Sequence, residues 1–314
     1  MLIKTQKITL KEKELCALEI QEEGVALAHI SQPLSNTPEL LNCDFFPHKS
    51  SDDFSVTLKN ITNKYNLQVV KINWVLNPKY YRLFLIDIPA EVPQSEYKEA
   101  AKWQIKDIVE YPIEDLIVDI FEAIDFQKKG VQKLYVIAAQ RSFLKKNLDI
   151  FDSNLLNVVA IDIREFALRN IVKLADKSAK PEEAVAHLAI NSDCSILIIV
   201  QKNVLGFARR VPLGLAAIQT TEGASSLTTE IQRSLDYYRA TFKKSNPSSF
   251  LIYPPIDANS ISDTVLKYIS ENLTNQIQFV NLKNCLRISC PLSTELEKQC
   301  YIAIGGALRN TEEY

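Results

Sequence analysis

The sequence predicts an α/β protein made of two similar halves with a cleft between them. Three observations point there. Each half opens with short apolar runs around a polar turn, strand-like and helical stretches then alternate, and a polar, proline-bearing stretch from Ser178 to Glu183 parts the halves. At 314 residues the chain exceeds one compact core of ordinary size. Two domains are therefore expected, 1–177 and 178–314.

In the first half, Leu15 to Ile20 and Val25 to Ile30 read as a hairpin across Gln21-Glu22-Glu23-Gly24. Ser31 to Ser55 is polar and holds more turn chemistry than periodicity. Val56 to Tyr65 reads as a helix, and Val69 to Leu76 and Leu83 to Ile88 as buried strands. Ser95 to Tyr111 reads as a helix with Tyr97, Ala101, Ile105 and Ile108 on one side, stopped by Pro112. Strands follow at Leu116 to Ala123 and Leu134 to Ala139, joined around Lys128-Lys129-Gly130. Arg141 to Phe151 is a helix, Val158 to Ile161 a strand and Arg164 to Asp176 a helix.

The second half opens in the same way. His187 to Ala189 leads into the turn Asn191-Ser192-Asp193, and a hairpin follows from Ser195 to Val200 and Val204 to Arg209 across Gln201-Lys202-Asn203. A long helix carries Leu227, Ile231, Leu235, Tyr238 and Phe242 on one stripe. Phe250 to Tyr253 is a strand, Ser262 to Asn272 a helix, Ile277 to Val280 a strand and Glu295 to Arg309 a closing helix.

Composition narrows the functions. The net charge of −2 offers no broad positive field for nucleic acid or anionic lipid. No apolar run approaches the ~20 residues of a spanning helix, and Met1 to Lys13 lacks the apolar region of a signal peptide. A soluble, cytoplasmic protein is expected. The six cysteines, Cys16, Cys43, Cys194, Cys285, Cys290 and Cys300, form no CxxC and read as reduced, mostly buried thiols. His29, His48 and His187 lack metal spacing. Seven glycines make about 2% of the chain, against a typical ~7%. Phosphate-cradling sites need glycine where backbone amides approach the ligand, so the shortage argues against one. No GxGxxG, GxxxxGK[ST] or GxSxG is present, and no Ser/His/Asp set emerges. Glu114-Asp115 reads as a solvated helix-start turn after Pro112. Gly305-Gly306 reads as close helix packing ahead of a remnant phosphate site.

Three strings in order resemble the PilM family, the cytosolic actin-like proteins of type IV pilus assembly. They are Glu99-Ala-Ala-Lys-Trp-Gln-Ile-Lys to Tyr111-Pro-Ile-Glu-Asp115, then Glu230-Ile-Gln-Arg-Ser-Leu-Asp-Tyr-Tyr238, then Tyr301-Ile-Ala-Ile-Gly-Gly-Ala-Leu-Arg309. Within that family the likeness is to the MshI-like branch of mannose-sensitive haemagglutinin (MSHA) pili, and it runs from about Leu15 to Arg309. It implies a duplicated actin-like fold of the FtsA/PilM type, with a small subdomain inserted in the first half at about residues 84–158.

The resemblance also locates a nucleotide site, and this chain departs from it at each element. Glu19-Ile20-Gln21-Glu22-Glu23 stands where the family has Asp-Ile-Gly-Ser-Ser. The approach glycine is gone, two carboxylates replace hydroxyls, and no basic residue is adjacent to offset their repulsion of phosphate. Ala189-Ile190-Asn191 stands for Asp-Ile-Gly, without the acid and the glycine. Tyr253-Pro254-Pro255 stands for the strand and Ser-Gly-Gly around adenosine, and proline has no N–H to offer. Losing three charge-assisted contacts at ~1.5–3 kcal/mol each removes ~4–9 kcal/mol, roughly 10³- to 10⁶-fold in affinity. A vestigial site, no cofactor and no metal are expected.

What remains is partner binding. The resemblance implies capture of the cytosolic N-terminal peptide of a PilN-like bitopic inner-membrane protein, in a groove between the first core and the insert, with the assembly ATPase as a further candidate partner. It places the protein in the cytoplasm, peripheral to the inner membrane through that partner. Rival readings are an ATP-binding actin-like ATPase of pilus or type II secretion assembly, and a sugar kinase on the same fold. Both need the missing glycine turns. The type II secretion protein GspL is similar in role but continues into a membrane helix, whereas this sequence ends at Thr311-Glu-Glu-Tyr314. That acidic end also differs from the amphipathic membrane tail of FtsA.

Overall fold

The computed structural model describes residues 13–32, 37–48, 54–123, 130–176, 182–253, 265, 267, 270–271 and 277–309. The first half contains β1 (Lys13–Ile20), β2 (Gly24–Gln32), β3 (Glu39–Pro47), α1 (Phe54–Tyr65), β4 (Lys71–Leu76), β5 (Tyr81–Pro89) and α2 (Tyr97–Ile105). It continues with β6 (Leu116–Glu122), β7 (Val131–Gln140), α3 (Arg141–Ser153), β8 (Asn157–Ile163) and α4 (Arg164–Ala175). The second half has β9 (Val185–Ile190), β10 (Ser195–Gln201), β11 (Val204–Val211), α5 (Thr221–Phe242), β12 (Ser249–Tyr253), β13 (Ile277–Phe279), β14 (Arg287–Ile288) and α6 (Thr294–Ala307).

Two sheets repeat one topology. The first runs β14-β3-β2-β1-β4-β8 and the second β11-β10-β9-β12-β13. In each, three strands meander antiparallel and two more join in parallel, so β9 to β13 retrace β1, β2, β3, β4 and β8. A third sheet, β5-β7-β6, covers one face with α2. It spans Tyr81 to Gln140. The flanking α3, which the sequence reading places within the insert, packs instead against α1, and β8 beyond it pairs with β4.

The chain then crosses back. β14 pairs with β3, and α6 packs on α4 and across β1, β2, β3 and β4. The stretch from Arg287 to Ala307, counted with the second half by sequence order, is structurally part of the first sheet's core. Helix α4 touches both sheets and α6, and every residue from Arg164 to Val172 is buried. A helix covered on all sides stands at the centre of a fold, not on its surface.

Local chemistry explains the boundaries. Thr220 and Ser293 cap α5 and α6, accepting from the amides of Gly223 and Leu296 at 3.0 and 3.2 Å. The stripe Leu227, Ile231, Leu235, Tyr238 and Phe242 is wholly buried, as its spacing predicts. Lys202 and Asn203 take φ of 52° and 62°, the geometry of a tight two-residue hairpin turn. Asp115 accepts from the Ser142 amide at 2.7 Å and its hydroxyl at 2.6 Å, which ties the turn after Pro112 to the start of α3.

Two expectations fail. Strand β3 lies in the stretch read as turn-rich, because only Leu40 and Cys43 along it are buried and its polar residues mask the alternation. Helix α2 ends at Ile105, six residues before the expected end; Ile108 continues the spacing but is 62% exposed. Of the helix expected at Ser262 to Asn272, most residues lie outside the described ones, as do Lys128-Lys129 and the acidic end from Thr311. Cys16, Cys43, Cys194 and Cys300 are buried thiols, and Cys285 and Cys290 are half-buried. Among the described residues, no helix is long and apolar enough to cross a membrane, and no three His, Cys, Asp or Glu side chains gather to hold a metal ion.

Gly305 and Gly306 set the distance between α6 and its neighbours. A Cβ on Gly305 would lie 2.3 Å from the Ala167 carbonyl oxygen of α4, and one on Gly306 2.5 Å from Val75 Cγ2. Gly305→Ala should therefore destabilise the protein by about 2–3 kcal/mol in urea unfolding. Gly130→Ala, at φ +78° with open space around it, should cost about 1 kcal/mol. Equal costs at the two positions would show that α4 and α6 do not require this approach.

Candidate functional site

A cleft of about 420 Å³ opens where the turns of the two halves face each other. The first turn, between β1 and β2, contributes Glu19, Gln21 and Glu23; the second, between β9 and β10, contributes Ile190, Asn191 and Ser192. Tyr253 from β12 and Lys298 from α6 complete it. Five residues singled out from the sequence thus meet: Glu19, Gln21, Glu23, Asn191 and Tyr253. Glu22 turns the other way, where it pairs with Lys79 at 3.3 Å and its carbonyl accepts from His48 Nε2 at 3.1 Å. Ala189 is fully buried within β9 and does not line the cleft. Pro254 and Pro255 lie outside the described residues.

The sequence reading finds no basic residue near the first turn. In the fold Lys79 meets its outer side at Glu22, Lys298 stands on the cleft wall, and an arginine enters the cleft itself. Arg164, the first residue of α4, reaches into the cleft from 145 positions away and donates from Nε to Glu19 Oε1 at 2.6 Å. Its Nη1 donates to both carboxylate oxygens of Asp193, at 2.8 and 2.9 Å. One guanidinium therefore joins a carboxylate of the first sheet to one on the second half's turn. Glu19 is fully buried and Asp193 is 38% exposed.

Gln21 completes the contact. Its amide nitrogen donates to Glu19 Oε2 and to the Gln299 carbonyl of α6, both at 2.8 Å. Its backbone N–H is taken by the Gly24 carbonyl at 2.8 Å. Across the cleft, the Asn191 N–H donates to the Cys194 carbonyl at 3.0 Å, closing the second turn on itself. Both turns thus spend polar groups on the chain's own atoms.

Electrostatics follow from burial. Removal from water raises the Glu19 carboxyl above its usual range, and Arg164 and Gln21 pull it back. For Arg164 burial works against the charge, but Glu19 and then Asp193 outweigh it and hold the guanidinium firmly protonated. A phosphate group entering here would meet a cation already shared between two carboxylates, with Glu23 and Glu295 also on the walls.

The inner wall is aromatic. Tyr253 stacks on Tyr301 with ring centroids 3.4 Å apart and planes within 2°. Behind them, fully buried His187 donates from Nδ1 to the Leu251 carbonyl at 3.1 Å, so its Nε2 accepts from the Tyr301 hydroxyl, also at 3.1 Å. Burial lowers its pKa from the usual 6.5 to about 4.

No protein-family model and no curated protein sequence matches this chain. Its backbone is similar to a chain of the PilM-PilN type IV pilus biogenesis complex, at 16% identity over 94% of this chain and 97% of that one, with a TM-score of 0.73. It is similar, at 10% identity over 96% of each chain and a TM-score of 0.52, to the cytoplasmic domain of EpsL, an inner membrane component of the type II secretion system of Vibrio cholerae. A protein of Bacteroides thetaiotaomicron with an actin-like ATPase fold and unknown function matches at 11% identity over 93% of this chain and 96% of that one, with a TM-score of 0.51. The fold is actin-like, and the cleft lies between its two repeated halves.

Two outcomes follow from the geometry. Arg164→Leu leaves Glu19 buried beside no cation and should cost about 3–5 kcal/mol in urea unfolding; adding Glu19→Leu should recover most of that loss. No recovery in the double variant would mean that the arginine matters for packing alone. His187 binds its proton less readily folded than unfolded, so stability should fall as pH drops from about 6.5 to about 4, by up to about 3 kcal/mol. Glu19, Glu165 and Glu297, raised by burial, act in the opposite sense. The difference in pH slope between the unmodified chain and His187→Gln therefore isolates this group, and identical slopes would refute its buried neutral state.

Proposed function

We propose that this chain is a non-catalytic, actin-like scaffold of a type IV pilus assembly platform, of the MSHA type. In this reading it works in the cytoplasm and binds the cytosolic N-terminal peptide of a PilN-like bitopic inner-membrane protein, which holds it at the membrane. Its nucleotide cleft is vestigial, and the chain is a pseudo-ATPase.

The observation that carries the reading is the ion pairing across the cleft. Where an actin-like ATPase would place phosphates and a metal ion against its two turns, Arg164 already joins Glu19 to Asp193. The backbone likeness to a chain of the PilM-PilN complex supports the pilus setting and the kind of partner. For the peptide itself, a crevice between the first core and the inserted sheet is lined by Tyr80, Tyr111 and Phe143, with Tyr80 stacked on Phe143 at 4.1 Å. The Tyr111 hydroxyl there is buried and has no hydrogen-bond partner among the described residues, as expected of a wall awaiting a polar group.

A working ATP-binding protein is the second reading. The size of the cleft and Lys298 on its wall favour it. Calorimetric titration of the full chain with magnesium and ATP to low-millimolar concentration separates the two. The scaffold reading expects no binding heat. A micromolar dissociation constant, lost in Lys298→Ala, would overturn it and restore the ATPase.

A further inference from the structure

A second cleft, of about 610 Å³, shares no lining residue with the first. It lies between the inserted sheet and the second half. Residues 81–85 of β5 line one side, and residues 207–210 of β11 line the other. Neighbouring side chains of a strand point to opposite faces, so unbroken runs of lining residues mean that the cavity meets strand edges. The sheet order agrees. β5 pairs only with β7 and β11 only with β10, so both are outer strands. Among the described residues no backbone hydrogen bond joins one edge to the other; the Tyr135 hydroxyl of β7 spans the gap at one point, donating to the Gly206 carbonyl of β11 at 3.1 Å.

The chemistry around these edges is cationic. Arg82, Arg209, Arg210 and Arg233 line the cleft, against the single carboxyl of Glu165, which accepts from the Tyr81 hydroxyl. At the rim, Glu230 serves two guanidiniums at once, Arg209 at 3.1 Å and Arg233 at 2.9 Å, while Glu110 stands 3.9 Å from Arg82. Arg210 makes no ion pair among the described residues. It donates to the Pro78 carbonyl at 2.6 Å and lies over the Tyr81 ring. The whole chain carries a net charge of −2, so this gathering of arginines is local.

We propose that this cleft binds an acidic, extended peptide segment of a partner protein, added as a strand between the β5 and β11 edges with its carboxylates on the arginines. A free phosphate would satisfy the guanidiniums but leave the backbone groups of the two edges beyond Tyr81 and Gly206 unmet. An extended backbone pairs with an open edge while alternate side chains reach its surroundings, and arginine binds carboxylates through two parallel hydrogen bonds. This cleft adjoins the crevice at Tyr80 and Phe143, sharing Tyr81 and Arg82 with it, and its binding does not depend on the nucleotide cleft being vestigial.

The test uses the full chain and three labelled decapeptides followed by fluorescence anisotropy. One alternates glutamate and valine, one alternates lysine and valine, and one is the acidic peptide N-methylated at every second residue. The acidic peptide should bind at least about tenfold tighter than either other. Arg210→Gln should weaken it about tenfold or more, with Arg210→Lys intermediate, and the solvent-facing Arg233→Gln should do so at unchanged melting temperature. Tyr80→Ala should leave it unchanged, which separates this site from the proposed membrane-partner crevice. Equal binding of the basic peptide, indifference to N-methylation, full affinity in both arginine variants, or no saturable binding to millimolar peptide would each overturn the proposal. So would tighter binding of a single-stranded oligonucleotide through the same arginines.

Discussion

Helix α4 is covered on every side, and most of the architecture follows from that. Its residues face both large sheets and α6, so the two halves can come together only if α4 and α6 nest closely. Gly305 makes this possible by exposing bare backbone to the Ala167 carbonyl, and Asn170 reinforces it by donating to the Gly305 carbonyl at 3.0 Å. A chain with only seven glycines places two of them side by side here. The return of the C-terminal helix to the first sheet is the topological counterpart. It fastens the end of the sequence to its beginning, through Asn73 and Gly306 and through Gln32 and Ala307.

The same helix delivers the charge that defines the cleft. Because α4 starts at Arg164, its N-terminal side chain emerges at the junction of both turns. A cation buried at that depth is costly to desolvate, and what offsets the cost is geometry: three donor–acceptor contacts of 2.6 to 2.9 Å to two carboxylates. Such an arrangement need not add net stability. It does fix position, because moving either half would strand a buried charge. The turns of the two halves are therefore held in register by groups that in an open cleft would face water.

Much of this was legible in the sequence, and the misses have physical causes. The stripe on α5 was readable because one face is buried at a regular period, and the hairpin β1–β2 because its two apolar runs, buried on both faces, are parted by a polar turn. Strand β3 was not, since Glu39, Asn42 and Asp44 interrupt its alternation on a partly exposed surface. Helix α2 was read too long because Ile108 sits at helical spacing while facing solvent. At the site, Glu19, Gln21, Glu23, Asn191 and Tyr253 were singled out through the resemblance to the family's turns, and all five line the cleft. The role of Arg164 could not be read. It stands 145 residues from Glu19, and no local pattern marks it apart from its place at the start of a helix buried from Arg164 to Val172. Glu19, which stands where the family has an aspartate, is a buried acid bonded to that arginine.

The pairing of Glu19, Arg164 and Asp193 also changes what kind of equilibrium governs the cleft. A ligand that bridges two lobes contributes in proportion to how much of it is present, so its hold rises and falls with supply. A bridge made of the chain's own side chains carries no such concentration dependence: it is first-order, present in every folded copy, and insensitive to the energy state of the surroundings. What can still tune it is ionic strength and acidity, and the burial of Glu19 and Arg164 blunts both. In the scaffold reading proposed above, the lobes are thereby set at translation rather than on demand.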